Sequence, residues 1–329
     1  MSSSKSSTYQ SLLFLVSLAL PVAAFATQLE EVQSWLEKMQ HAAHTVNYEG
    51  TFVYGQQGQL SSMRIIHRVT SDGEQERLIS MDGTGREVIR DGSKVSCYLP
   101  DSNAVVVEKS RPLKHFPPEF PMKIDDLKDF YTFSLIGDSR VAGHLTQGIK
   151  ILPKDPYRYG HQLWVEKKTG LLLKTHLLDE NSKPIEQFVF TQVTFLDQVP
   201  DEQLVPAMDT KQFTWYEAKD SDEPADRDEP DLHVAWLPGG FKEDMKRMQK
   251  LPTGGMPVRH MVFSDGLSSV SVFIEEDMQH DPANLVGGSR MGAINAHGRS
   301  LGEYHVTVVG EVPQLTVQKI CESINNEKP

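Results

Sequence analysis

The sequence predicts an α+β chain built on a large curved antiparallel sheet, a half-barrel covered by helices, and followed by a smaller α+β domain. Three observations carry this reading: one helical-period stretch near the start, a succession of period-two apolar segments separated by turn residues, and an acidic, proline-containing interval before a last group of strands.

The helical stretch comes first. Val32, Leu36, Met39 and Ala43 recur on one face, and Thr27 with Glu30 fits a capping box, so an amphipathic helix is expected from about residue 29. The period then falls to two. Tyr48, Phe52 and Tyr54 alternate with Glu49, Thr51 and Val53, and Met63, Ile65 and Val69 alternate with Arg64, Arg68 and Thr70. Further strands are expected over 78–81, 87–89, 95–99 and 104–108, with Asp82-Gly83 and Asp91-Gly92 as turns. Residues 111–121 hold four prolines and read as a loop, and 124–130 as one short helix. Strands over 131–136, 146–152, 162–166, 171–178 and 185–196 complete the sheet. Such a sheet cannot bury both faces by itself, so it is expected to curl, with the helices and the proline loop over its hollow side.

Residues 217–231 carry eight acidic and two basic residues with Pro224 and Pro230, which is linker composition. This divides the chain into 27–216, the linker 217–231, and a domain over 232–329. In that last domain strands are expected over 236–241, 258–263, 269–275 and 304–309, the segment 287–292 reads as a glycine-rich loop, and a helix starts at Gln314.

Lys5, the apolar run 12–20 and Ala24-Phe25-Ala26 have the three parts of an export signal, so residues 1–26 are expected to be cleaved and the mature chain to begin at Thr27. Ser17 and Pro21 limit the apolar run to less than the roughly 20 residues that a bilayer span requires. With 33 basic against 45 acidic residues and a net charge of −12, nucleic acid is not an expected partner. Only Cys97 and Cys321 are present, too few and too far apart for a disulfide framework. Cys321 shares a helical face with Val317, Ile320 and Ile324 and reads as a small buried hydrophobe.

Several motifs, taken in order, resemble the MucB/RseB family. They are Met81-Asp82-Gly83 followed by Arg86-Glu87-Val88, Tyr157-Arg158-Tyr159-Gly160, Leu163-Trp164-Val165 before Thr169-Gly170-Leu171, Trp236-Leu237-Pro238, Ser264-Asp265-Gly266-Leu267 and Val309-Gly310-Glu311-Val312-Pro313. The resemblance implies a first domain similar to the lipoprotein-carrier fold and a periplasmic location. It implies binding to the periplasmic segment of a transmembrane anti-sigma factor, shielding of that segment from proteolysis, and so restraint of the envelope-stress sigma factor. It also implies a sensor of lipopolysaccharide or another acyl lipid. Whether the regulator acts as a monomer or as a homodimer is left open.

Two sets of residues are candidates for these roles. Tyr48, Phe52, Tyr54, Met63, Ile65, Leu163 and Val165 would line an acyl cavity, although period-two apolar positions on a covered sheet are more often ordinary core. Arg64, Arg68, Arg86, Arg90 and Arg158 would engage carboxylates or phosphates, with a solvated strand face as the simpler alternative. The anti-sigma segment is expected to lie against both domains, in which case the linker sets their angle. No H-E-x-x-H, C-x-x-C, G-x-S-x-G or Walker pattern is present, so no catalytic residues, cofactor or metal site are expected. His41 and His44 read as a surface pair, because two ligands do not make a structural zinc site. The alternative function is a periplasmic lipid or lipoprotein carrier, for which the second domain would have little use.

Overall fold

The computed structural model describes residues 20–109, 123–217, 232–249, 258–277 and 284–325; the proline-rich 111–121 and all but the first residue of the acidic interval lie outside them. Helix α1 (Leu20–Ala43) carries Val32, Leu36 and Met39 on its buried face. It begins upstream of the expected start, so Thr27 lies inside the helix of the uncleaved chain and not at its cap, since the alanine-rich 23–26 continues it without a break. Among the described residues no helix is long and apolar enough to cross a membrane.

The first sheet has twelve strands: β1 (Tyr48–Gln56), β2 (Gln59–Thr70), β3 (Gly73–Ser80), β4 (Glu87–Asp91), β5 (Lys94–Leu99), β6 (Ala104–Lys109), β7 (Tyr131–Val141), β8 (His144–Pro153), β9 (Gly160–Glu166), β10 (Leu172–Leu178), β11 (Pro184–Phe195) and β12 (Thr214–Glu217). Their order is β12-β6-β5-β4-β3-β2-β1-β11-β10-β9-β8-β7, antiparallel throughout except for β12 on β6. Two meanders, β1 to β6 and β7 to β11, are therefore joined where β1 pairs with β11. The short helix α2 (Ile124–Leu127) stands between them in sequence and buries Ile124 and Leu127 beside α1.

The sheet curls. β8 and β11 are three positions apart, about 14 Å in a flat sheet, yet the His144 ring at the start of β8 lies 5.2 Å from that of Phe195 at the end of β11. Sheets of this size must curl or split, and curling gives α1 a hollow to fill against Ile149, Ile151, Leu163, Val165 and Leu172. The turn from β9 to β10 takes Gly170 at φ +89° directly beneath α1, where a Cβ would meet the Lys38 backbone. Lys38 answers by donating its ammonium to the Lys167 carbonyl.

The C-terminal domain is a six-stranded antiparallel sheet in the order β14-β15-β16-β19-β18-β17, from β14 (Lys242–Gln249), β15 (Val258–Ser264), β16 (Ser269–Glu276), β17 (Gly287–Met291), β18 (Ile294–Leu301) and β19 (Tyr304–Gly310). Helix α3 (Gln314–Ser323) covers it, burying Val317, Ile320 and Cys321 against Val270, Val272, Val306 and Val308. A two-stranded pair of β13 (His233–Val234) and β20 (Ile324–Asn325) ties the entry of the domain to its end. Neither cysteine is in a disulfide, and burial pushes the Cys321 thiol up to about 11, which leaves it an inert hydrophobe.

Two expectations are corrected here. Residues 236–241 are not a strand, because Pro238 has no N–H to give a ladder and Gly240 turns the chain at φ +87°, closed by the Phe241 N–H to the Pro238 carbonyl. The glycine-rich segment 287–292 is not a loop but strand β17 and its turn, stabilised by pairing with β18 despite the low strand propensity of glycine.

Candidate functional site

Direct pairing across the ladders fixes which side chains share the hollow face. One row runs Tyr54, Phe188, Thr175, Leu163 and Ile149, and another runs Ile65, Leu78, Val88, Cys97 and Val106. The seven proposed cavity residues all lie on this face, in two different surroundings. Leu163 and Val165 are fully buried under α1 and belong to the helix-on-sheet core. Tyr48, Phe52 and Ile65 are buried in an aromatic cluster with Phe188 and Phe190, whose rings lie 4.9 to 6.0 Å apart, with Tyr54 and Met63 half-buried at its margin. From Met63 outward, half-buried Leu78, Val88, Cys97 and Val106 form an apolar strip outside the core that α1 packs on.

The five arginines do not gather at one mouth. Arg64 and Arg68 project from the outer face of β2, the first pairing with Glu49 at 2.9 Å and the second with Asp201 at 2.5 Å and Gln75. Arg86 is exposed, 3.7 Å from Asp101. Arg90 is on the hollow face, buried and ion-paired to Glu76 at 3.1 Å. Arg158 is enclosed between the two domains, its side chain at zero exposure, so it has no free face for a carboxylate from outside.

That enclosure makes Arg158 the centre of the joint. Its Nε donates to Asp265 Oδ2 at 2.5 Å, and its terminal nitrogens donate to Asp155 and to the Gly239 carbonyl. The rings of Phe130, Tyr131 and Phe241 surround the guanidinium at 5.1 to 5.6 Å. Tyr131 adds a hydroxyl to Asp265 at 2.9 Å; burial and then the Asp265 charge push its pKa up, which keeps it a donor. Gly240 closes the other side against the Phe130 ring, where a Cβ would collide. The neighbouring residues of the same motif work alike. Thr316 donates to the Tyr157 carbonyl at 2.9 Å, Lys319 to the Tyr157 hydroxyl at 2.8 Å, and Asn295 to the Tyr159 hydroxyl at 2.9 Å.

Sequence reasoning singled out Arg158 and the Ser264-Asp265-Gly266-Leu267 motif but not their union, and it missed Tyr131. The available signal was the turn itself: Asp265 Oδ1 accepts the N–H groups of Leu267 and Ser268, which is the ordinary use of Asp before glycine and leaves Oδ2 for another partner. Beside the joint, the tip of the β1–β2 hairpin and the β17–β18 turn enclose a crevice of about 320 Å³ lined by Gln56, Gln59, Leu60, Ile185, Gln187, Arg290 and Gly292. Leu60 and Met291 stand exposed near its rim.

Comparison with known proteins places these features in a family. A family model described as the MucB/RseB N-terminal domain matches residues 31–208, and one described as the MucB/RseB C-terminal domain matches residues 226–325. The chain is 32% identical over 319 residues to the sigma factor AlgU regulatory protein MucB of Pseudomonas aeruginosa, a match covering 95% of this chain and 96% of that protein. It is 25% identical over 323 residues to the sigma-E factor regulatory protein RseB of Escherichia coli K12, covering 94% and 95%. The solved complex of Pseudomonas aeruginosa MucA and MucB superposes with a TM-score of 0.70 at 30% identity over 91% of this chain and 100% of that one. A crystal structure of MucB in complex with MucA(peri) gives 0.69 at 31% over the same shares. Matched in both halves and in the same order, the chain belongs to the MucB/RseB family.

Proposed function

We propose that this protein is a periplasmic regulator that binds the periplasmic segment of a transmembrane anti-sigma factor, shields it from regulated proteolysis and so restrains an envelope-stress sigma factor. The observation that carries the reading is the near full-length match to MucB, a protein solved in complex with MucA. The crevice between the β1–β2 hairpin and the β17–β18 turn suits an extended segment that touches both domains, a common place for ligands. The chain acts by binding and not by catalysis, since the buried polar groups at the joint are engaged with one another and not turned toward a substrate.

The second part of the reading is release by an acyl ligand, lipopolysaccharide or another lipid. The half-buried strip from Met63 to Val106 supports it, because apolar side chains that no described helix covers give an acyl chain a surface to bury. A dedicated lipid or lipoprotein carrier is the competing reading for that strip, and the elaborated joint with a second domain favours the regulator.

Calorimetry of the mature protein against the periplasmic segment of its own organism's anti-sigma factor, with and without lipopolysaccharide, tests both parts. Micromolar or tighter binding that lipopolysaccharide weakens is expected. Absence of binding in both conditions would overturn the regulator and put the carrier first.

A further inference from the structure

The β2–β3 hairpin brings together three side chains that lie far from the domain joint. His67 and Glu76 are direct partners across the ladder, and Glu74 is two residues along on the same face. His67 Nε2 stands 3.9 Å from Glu74 Oε2 and 3.9 Å from Glu76 Oε1, and the three ligand atoms lie within 4.8 Å of one another. Both carboxylates are too distant for hydrogen bonds to the imidazole. We propose that His67, Glu74 and Glu76 bind a divalent transition-metal ion, zinc by the nature of the donors.

The tautomer of His67 points the same way. Its Nδ1 is 3.0 Å from the Val46 carbonyl, which can only accept, so Nδ1 carries a hydrogen and Nε2 is the ring atom turned toward the two carboxylates. A ring that donates one N–H to a backbone carbonyl and offers its other nitrogen is the usual presentation of a metal-binding histidine. The carboxylates are oriented in the same manner through their outer oxygens: Glu76 Oε2 is held by Arg90 at 3.1 Å and Glu74 Oε1 by His44. The two 3.9 Å gaps from His67 close by about 0.5 Å, and the separation of the carboxylate oxygens, within 4.8 Å, by up to about 1.4 Å, to reach the edge length of a tetrahedral zinc site.

Tyr48 supplies the independent observation. Its ring stacks on His67, 5.0 Å between centroids and 21° from parallel, and it is the direct partner of His67 in the β1–β2 ladder. The side chain is 1% exposed, and its hydroxyl finds no hydrogen-bond partner among the described residues. A buried hydroxyl left without a partner is costly, and a water or anion in the open position of a three-ligand zinc ion would satisfy it.

The test uses the untagged mature protein, stripped with a chelator and titrated with zinc alone by calorimetry, alongside thermal melting. One zinc per chain at micromolar or tighter affinity is expected, with a rise in Tm on loading. Glu74→Gln, which keeps the size of the side chain at a partly exposed position, is expected to weaken binding at least tenfold and to abolish the rise in Tm. His44→Ala, which removes only the outer support of Glu74 at an exposed site, is expected to weaken binding severalfold. Absence of stoichiometric binding to the wild-type chain would overturn the proposal and leave a plain histidine–glutamate ion pair. So would equal zinc affinity and an equal rise in Tm in folded Glu74→Gln, because the metal would then sit elsewhere.

Discussion

Asp265 is 1% exposed and accepts from Arg158, Tyr131 and two backbone N–H groups, so neither member of its pair with Arg158 can lose the other cheaply. Removing one partner of a buried pair leaves an unpaired charge at a cost of about 3–5 kcal/mol. Arg158→Met, which strands the Asp265 carboxylate, is expected to destabilise the protein by that amount in urea unfolding, Asp265→Asn by less because Asp155 still pairs with Arg158, and the double variant by clearly less than the sum. Additive losses would show that the two residues act independently. A second prediction concerns pH. Burial lowers the pKa of His161 to about 4, against a weaker opposing pull from Asp265, whereas the unfolded chain titrates near 6.5. Between those values the unfolded state binds a proton that the folded state refuses, so stability falls as pH drops from 6.5 toward 4, by up to about 3 kcal/mol. His176, lowered to about 4 by burial and then by Lys174, acts in the same window, so the comparison must isolate one histidine. In His161→Asn the acid-side loss is expected to be smaller by the His161 share; parallel stability profiles of the two proteins between pH 4 and 7 would refute it.

At the scale of elements, legibility followed the physical signal each segment carries. The strands from β1 to β11 were readable because one buried face imposes period two on the sequence, and Ile65, Phe52 and Leu163 report that face directly. Strand β14 was not readable, since Lys242–Gln249 is mostly charged, with Met245 and Met248 three apart and no period of two, and stands at the edge of its sheet, where one ladder with β15 decides the conformation. Strand β17 was hidden by Gly287 and Gly288, whose own preference is outweighed by pairing with β18. At the sites, the motif residues Arg158 and Asp265 were visible as motifs, but 107 residues separate them and no local pattern announces that they meet. His67, Glu74 and Glu76 were closer in sequence and still missed. Their spacings of seven and two match no metal motif, and only the register of the β2–β3 hairpin puts all three on one face.

Across the whole molecule, curling divides the hollow of the first sheet into a half filled by α1 and a half that ends in the strip from Met63 to Val106. The crevice beside the domain joint lies at the tip of the same β1–β2 hairpin that carries Met63, so one hairpin reaches both the strip and the proposed anti-sigma contact. On the proposed function this would give the anti-sigma segment and an acyl ligand a common lever without requiring that they overlap. Met63 faces Phe52 and Ser80 across its ladders and is only half-buried, so arginine at this position can turn its charged head to water and leave the fold intact. It would nevertheless place a guanidinium on the strip proposed for an acyl chain. Each buried methylene is worth about 0.8 kcal/mol, so displacing roughly three of them weakens lipid binding by about 2.4 kcal/mol, or roughly fiftyfold. Met63→Arg is therefore expected to bind the anti-sigma segment as the wild type does, but to need far more lipopolysaccharide for release. Arg64→Ala, on the outer face of the same strand, should behave as wild type in both assays. If Met63→Arg releases the segment at the wild-type lipopolysaccharide concentration, the acyl chain does not use the strip, and the half-buried row is simply the margin of the core.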